Sequence, residues 1–178
     1  LRATMEAAAA ALSRARLRRA DGRPAKASHM RRLARLCATE RIPAAVAVHH
    51  GLVTATADER ILPSADPLTA VPGDLDFDEL QNSTLDIGTP LAVLHASADG
   101  AWLYVVEPLS EGWVAADRVA ICGRDDMLAF ALPSAPVVAV RSKATVYADA
   151  RMTRSIGYVR MGSVLPASDA PASDALAV

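Results

Sequence analysis

The chain has 178 residues, a formal net charge of −1 and 52% apolar residues, but aromatics make up only 4%. That length allows one medium domain or two small ones, and a core built largely on alanine and valine buries little area per residue, which predicts modest stability. Two cysteines, Cys37 and Cys122, exclude a disulfide framework, and no apolar run is long enough to cross a bilayer.

The charge is unevenly placed. Residues 1–41 hold 11 Lys+Arg against 3 Asp+Glu, a local balance of +8, and the remainder carries −9. The arginines follow the alanine run instead of preceding it, the reverse of a secretory signal, so no signal peptide is visible. Thr4 to Ala20 reads as a helix stopped by Asp21-Gly22. A second helix is predicted from Ser28 to Thr39, with Met30, Leu33, Leu36 and Cys37 on one stripe and Arg31, Arg32 and Arg35 on the polar side. Those three arginines have two readings, a solvated helix face or a surface that binds an anionic polymer. No helix-turn-helix or RNA-binding signature accompanies them, so nucleic acid is not expected.

Val46, Val48, Leu52, Val53 and Thr54 are strand formers, and Arg60-Ile61-Leu62-Pro63 closes their segment. Ser64 to Ser83 is rich in proline, glycine and aspartate and predicts a long loop, a kind of segment that often carries function. Within it Asp74, Asp76, Asp78 and Glu79 imitate the start of a calcium loop. Glu79 stands where that loop needs glycine and Leu85 where it needs its closing glutamate, so a solvated loop is expected.

The clearest periodicity lies between Leu75 and Ile121. Leu91, Val93 and His95 alternate with Ala92, Leu94 and Ala96, as strand side chains do. Asp99-Gly100 supplies a tight turn, and Trp102 to Val106 is an aromatic and β-branched return strand. Gly112-Trp113-Val114 opens a third short strand. Gly123 to Pro136 reads as a connector with an apolar piece, Met127 to Leu132. Beyond it the pattern partly repeats, and Met161-Gly162-Ser163 aligns with Ile87-Gly88-Thr89. The tail from Ala167 is a low-complexity Ala-Ser-Asp-Pro near-repeat expected to be disordered.

Three of these motifs occur in order: Gly88-Thr89-Pro90-Leu91, then Asp99-Gly100-x-Trp102-x-Tyr104, then Gly112-Trp113-Val114. Together they resemble a bacterial SH3-like (SH3b) domain. More narrowly they are similar to the first SH3b module placed before the catalytic domain of NlpC-type cell-wall cysteine peptidases. The resemblance implies a mainly β fold, a small SH3-like barrel with an N-terminal α-helical region and a partial second SH3b-like repeat. The expected divisions are 1–42 helical, 43–123 barrel, 124–136 connector, 137–166 incomplete second module and 167–178 tail. It also implies a cell-envelope location, and a whole protein that cuts peptidoglycan stem peptides between γ-D-glutamyl and diamino-acid residues.

The catalytic domain is missing from these residues. The family's nucleophile sits in an Asp-Cys-Ser-Gly-like motif, whereas Cys37 lies in Leu-Cys-Ala and Cys122 in Ile-Cys-Gly. His49 and His50 are adjacent and would point to opposite faces of a strand. The expectation is therefore a non-catalytic fragment with no cofactor and no metal site. Its groove candidates are Trp102, Tyr104, Trp113, Ser110, Asp76, Asp78 and Glu79, with Trp113 the residue expected in the core. Ser110 occupies the place two residues before Gly-Trp-Val where the family often has an aromatic. The expected partner is a peptidoglycan stem peptide or glycan; a catalytic domain or subunit docked on the module is the alternative.

Overall fold

The computed structural model describes residues 1–74 and 76–167; Leu75 and the low-complexity tail from Ser168 lie outside the described residues. In chain order come α1 (Arg2–Arg14), β1 (Arg18–Arg19), α2 (Ala27–Leu36), β2 (His49–Val53), β3 (Ala57–Arg60), β4 (Leu68–Thr69) and β5 (Gln81–Leu85). Then follow β6 (Pro90–Ala96), β7 (Trp102–Val106), β8 (Glu111–Ala115), β9 (Val119–Cys122) and α3 (Arg124–Ala131). Four short strands complete it: β10 (Pro136–Val138), β11 (Lys143–Tyr147), β12 (Ser155–Arg160) and β13 (Val164–Pro166). The chain is thus mostly β with a helical start, as the sequence predicts.

Two compact units divide the described chain. The first comprises residues 1–48, 58–83 and 93–117, and the second 49–57, 84–92 and those from Arg118 onward. In the first unit β8 pairs antiparallel with both β3 and β7.

In the first unit the alanine run drives α1, alanine being the strongest helix former. The helix ends at Arg14 and not near Ala20, because Ala15 is extended (φ −73°, ψ 142°). Leu17 turns into the core at 4% exposure, and Arg18 and Arg19 pair with Thr69 and Leu68 of β4. Burying a leucine and satisfying a ladder outweigh the few tenths of a kcal/mol that separate arginine from stronger helix formers. Helix α2 buries Met30 and Leu33 and exposes Arg31, Arg32 and Arg35, the predicted stripe. Buried Ala38 adopts a left-handed φ of 46° and breaks it before Thr39. Met5, Leu33, Leu62, Leu68, Leu80 and Trp113 belong to one hydrophobic core.

Leu68 and Leu80 correct the expectation that residues 64–83 are a long loop without elements. Both are fully buried, and Leu68–Thr69 is a strand. The cause is a buried ion pair: Arg60 Nη2 lies 2.6 Å from Asp78 Oδ2, with the two side chains 4% and 13% exposed. Arg60 Nε also donates to the Ser64 carbonyl (3.0 Å), and Nη1 to Gln81 Oε1 (2.6 Å). Asp78 Oδ1 accepts the backbone N–H groups of Leu68 (2.9 Å) and Leu80 (3.0 Å). One arginine and one aspartate thereby fix both ends of the segment.

In the second unit β2 pairs antiparallel with β9, His50 opposite Cys122 and Val53 opposite Val119. Gly51 is required there, since a Cβ would lie 2.8 Å from the Ala120 carbonyl oxygen. The apolar piece of the expected connector forms α3, whose first turn carries Asp125 and Asp126 where the helix dipole favours acid. Strand β11 pairs with β12, and β10 with β13, around Val146, Val159 and Leu165. Arg160 Nε donates to both oxygens of Asp86, at 2.8 and 3.1 Å.

Removing one partner of a buried pair strands the other charge. Asp78→Ala should therefore lower stability by about 3–5 kcal/mol, while Phe77→Ala, at a residue 74% exposed, should change it by less than about 0.5 kcal/mol. Urea unfolding of the two variants checks this, and equal losses would refute the structural role of Asp78.

Candidate functional site

The turn between β7 and β8 is the place where the first unit gathers polar side chains. Tyr104 pairs with Trp113, and Val106 with Glu111 closes the ladder. Pro108 cannot donate to a ladder, so the chain turns there. The Glu107 N–H donates to the Ser110 carbonyl (3.0 Å), and Glu107 Oε2 accepts the Leu109 N–H (3.0 Å). Leu109 at the tip is 94% exposed.

Beneath this turn lies Glu59, a fully buried carboxylate on β3. Its Oε2 accepts from Asn82 Nδ2 (2.7 Å) and lies 2.6 Å from Ser110 Oγ, while Oε1 is buried with no partner. Ser110 Oγ is also 2.6 Å from Glu107 Oε1. A hydroxyl has one proton to give, so two short contacts to carboxylates need a second proton in the cluster. Burial supplies the reason: it pushes the Glu59 carboxyl above the ordinary carboxylate range, and the charges of Glu107 and Glu111 push it further, against the opposing pull of its Ser110 and Asn82 hydrogen bonds. Ser110 Oγ thus lies between the two carboxylates, and burial makes Glu59 the one that more readily keeps a proton. Gly112 makes this packing feasible, because a Cβ there would lie 2.7 Å from Glu59 Cγ. The glycine of Gly-Trp-Val is thus explained by a glutamate fifty residues upstream.

The groove candidates read from the sequence separate into three groups. Trp113 is fully buried, as expected. Tyr104 is 4% exposed and meets Trp113 edge on, ring centroids 5.3 Å apart, so it faces the core and not a groove. Burial, then the Glu111 charge, raises its pKa beyond the ordinary phenol range. Trp102 is half-buried against the same core. Asp78 is taken by Arg60, and only Asp76 and Glu79 of the acidic stretch are exposed. Ser110 is the one candidate that joins a polar cluster at the surface. Arg31, Arg32 and Arg35 lie together on α2, on the other side of that helix from Met30 and Leu33.

Glu59 and Asn82 escaped sequence reasoning. A glutamate beside an aspartate and an arginine reads as solvated surface, and only the strand alternation of Ala57 in, Asp58 out, Glu59 in hints otherwise. Cys37 is buried on α2's C-terminal side, beside a cavity of about 280 Å³ lined also by Met5, Ala9 and Thr39. Its thiol is pushed up to about 12 by burial, which leaves almost no thiolate at neutral pH. His95 Nε2 donates to the Cys37 carbonyl (3.0 Å) and serves as a structural tie.

Because the folded state favours protonated Glu59, the native protein should lose stability as pH rises from the ordinary glutamate range through the raised Glu59 value. Glu59→Gln keeps the shape and removes the titration. Urea midpoints at about pH 4 and about pH 7 should therefore diverge in favour of the variant at the higher pH; parallel shifts would refute a proton held by Glu59.

With this geometry in view, three comparisons bear on the fold. Residues 68–115 match the family model of the SH3 domain (SH3b1 type). The solved structure of an NlpC/P60 endopeptidase from Photobacterium damselae subsp. piscicida matches over 95% of this chain and 38% of that one, with a TM-score of 0.80 and 19% identity. No curated protein matches the sequence. The chain spans well under half the length of that endopeptidase, and at 19% identity the likeness shows the fold alone. Residues 68–115 are thus similar to an SH3 domain of the SH3b1 type, in a chain with the fold found in that NlpC/P60 endopeptidase.

Proposed function

We propose that the chain is a non-catalytic, substrate-positioning part of a cell-envelope hydrolase that acts on peptidoglycan stem peptides. The SH3b1-type domain and the shared fold with an NlpC/P60 endopeptidase support a peptidase-related module. The observation that carries the reading further is the acidic rim of the β7–β8 turn, Glu107, Ser110 and Glu111 above buried Glu59. A stem peptide containing a diamino acid carries an ammonium group. A rim of carboxylates, with a hydroxyl between them, meets that group by charge-assisted hydrogen bonds. Exposed Leu109 offers apolar contact beside it. The rim binds and orients; Cys37 is buried with its thiol pushed up to about 12, which makes it a poor nucleophile.

Isothermal titration with a stem tripeptide ending in a diamino acid tests this. The peptide with a free side-chain amine should bind at least about tenfold more tightly than its N-acetylated form, about 1.4 kcal/mol. Glu107→Gln/Glu111→Gln should erase the difference. Equal binding of both peptides, or none, would overturn the reading, as would release of dipeptide by the purified chain.

A further inference from the structure

We propose that the N-terminal helices and the hairpin between them form a docking surface for a flexible phosphate polyanion. The proposal uses residues remote in sequence from the acidic turn and does not depend on the reading of that turn. Residues 1–41 carry ten arginines and one lysine against three acidic residues. Of these cations Arg19, Arg23, Lys26, Arg31, Arg32 and Arg35 are exposed. Two acidic contacts occur among them and their neighbours, Arg19–Asp21 at 3.9 Å and Arg41–Glu40 at 4.0 Å, both exposed and at the outer limit of pairing.

The scaffold holds the charges together. Arg19 N–H donates to the Arg23 carbonyl (2.9 Å), and Arg18 Nη1 to the Gly22 carbonyl (3.0 Å), with Gly22 at a φ of +76° closing the hairpin. Ala25 N–H returns to the Leu17 carbonyl (2.9 Å) and delivers the chain into α2. His29 in the first turn of α2 marks the convergence. Burial holds its pKa down first, followed by the charges of Arg19 from the hairpin and Arg32 from α2, opposed by Asp66. Its Nε2 is buried and unpartnered. Hairpin and helix cations therefore face one place.

The composition of the surface selects its partner. Arginine forks grip phosphate oxygens in pairs, which a lysine-rich surface would not do. Residues 1–76 hold no phenylalanine, tyrosine or tryptophan, so the helices and hairpin themselves offer no platform for stacking single-stranded bases. Residues 1–48 contain no asparagine or glutamine to read adenine in a groove. Residues 1–47 hold no large exposed hydrophobic residue, so the helices and hairpin themselves offer nothing to insert into a bilayer. What remains is contact with a phosphate chain along its backbone.

Long-chain inorganic polyphosphate is the probe, labelled at one end and titrated with the whole chain by fluorescence anisotropy. Affinity should fall ~300-fold between ~50 and ~200 mM salt if about six cations engage. Arg31→Gln/Arg32→Gln/Arg35→Gln should flatten the log–log salt slope by about 2. The triple substitution at Arg118, Arg124 and Arg141 to Gln should leave the slope unchanged, and thermal melts should show both variants folded. Salt-independent binding, equal slopes for the two triple variants, or tighter binding to phosphatidylglycerol vesicles or duplex DNA than to polyphosphate would overturn the proposal.

Discussion

A single buried ion pair, Arg60 with Asp78, determines how the first unit is built. Arg60 ends β3 and Asp78 ends a proline- and glycine-rich stretch that has little reason of its own to order. Their 2.6 Å contact offsets its desolvation with the help of neighbouring hydrogen bonds. Ser64 and Gln81 accept from Nε and Nη1 of the guanidinium, and the Leu68 and Leu80 amides donate to the second carboxylate oxygen. Anchored in this way, the stretch delivers Leu68 and Leu80 to the core and β4 to the edge that β1 completes. The N-terminal hairpin, with its arginines, depends on that edge.

Close backbone approach is the second constraint, and it falls on glycines. Gly112 leaves room for Glu59 under the β7–β8 turn, and Gly51 lets β2 lie against β9. Gly88 and Gly162 show a repeated turn within the second unit. Both have positive φ, 84° and 91°, and in each the following residue donates back three positions, Thr89 to Asp86 and Ser163 to Arg160, both at 3.1 Å. Each glycine N–H then donates to an earlier strand or its neighbour, Gly88 to Val53 at 2.8 Å and Gly162 to Ala139 at 2.9 Å. The aligned Ile-Gly-Thr and Met-Gly-Ser motifs therefore make the same turn.

Alternation and turn chemistry made β6, β7 and β8 legible from sequence, since Val93, Trp102 to Val106 and Gly112-Trp113-Val114 are governed by local rules. The arginine face of α2 was legible for the same reason. What local rules miss is set by contacts distant in sequence. Arg18 and Arg19 favour helix by propensity but pair fifty residues away with β4. The stretch after Arg60 reads as loop until its ion pair is known. Tyr104 reads as a groove residue because an aromatic on a strand has two faces to choose from, and packing on Trp113 decides the choice. Glu59 left only the hint of strand alternation, because a glutamate between Asp58 and Arg60 otherwise reads as surface.

The account of function rests on this frame, since the acidic turn is carried by Glu59 on the strand that Arg60 ends. The most direct test is amide hydrogen exchange at Leu68 and Leu80, whose N–H groups both bind Asp78 Oδ1. In Arg60→Met the account predicts that both amides exchange faster by on the order of a hundredfold relative to Val105 and Val114 of the barrel strands. Unchanged relative protection of Leu68 and Leu80 would contradict it, and would mean that the segment orders without the ion pair.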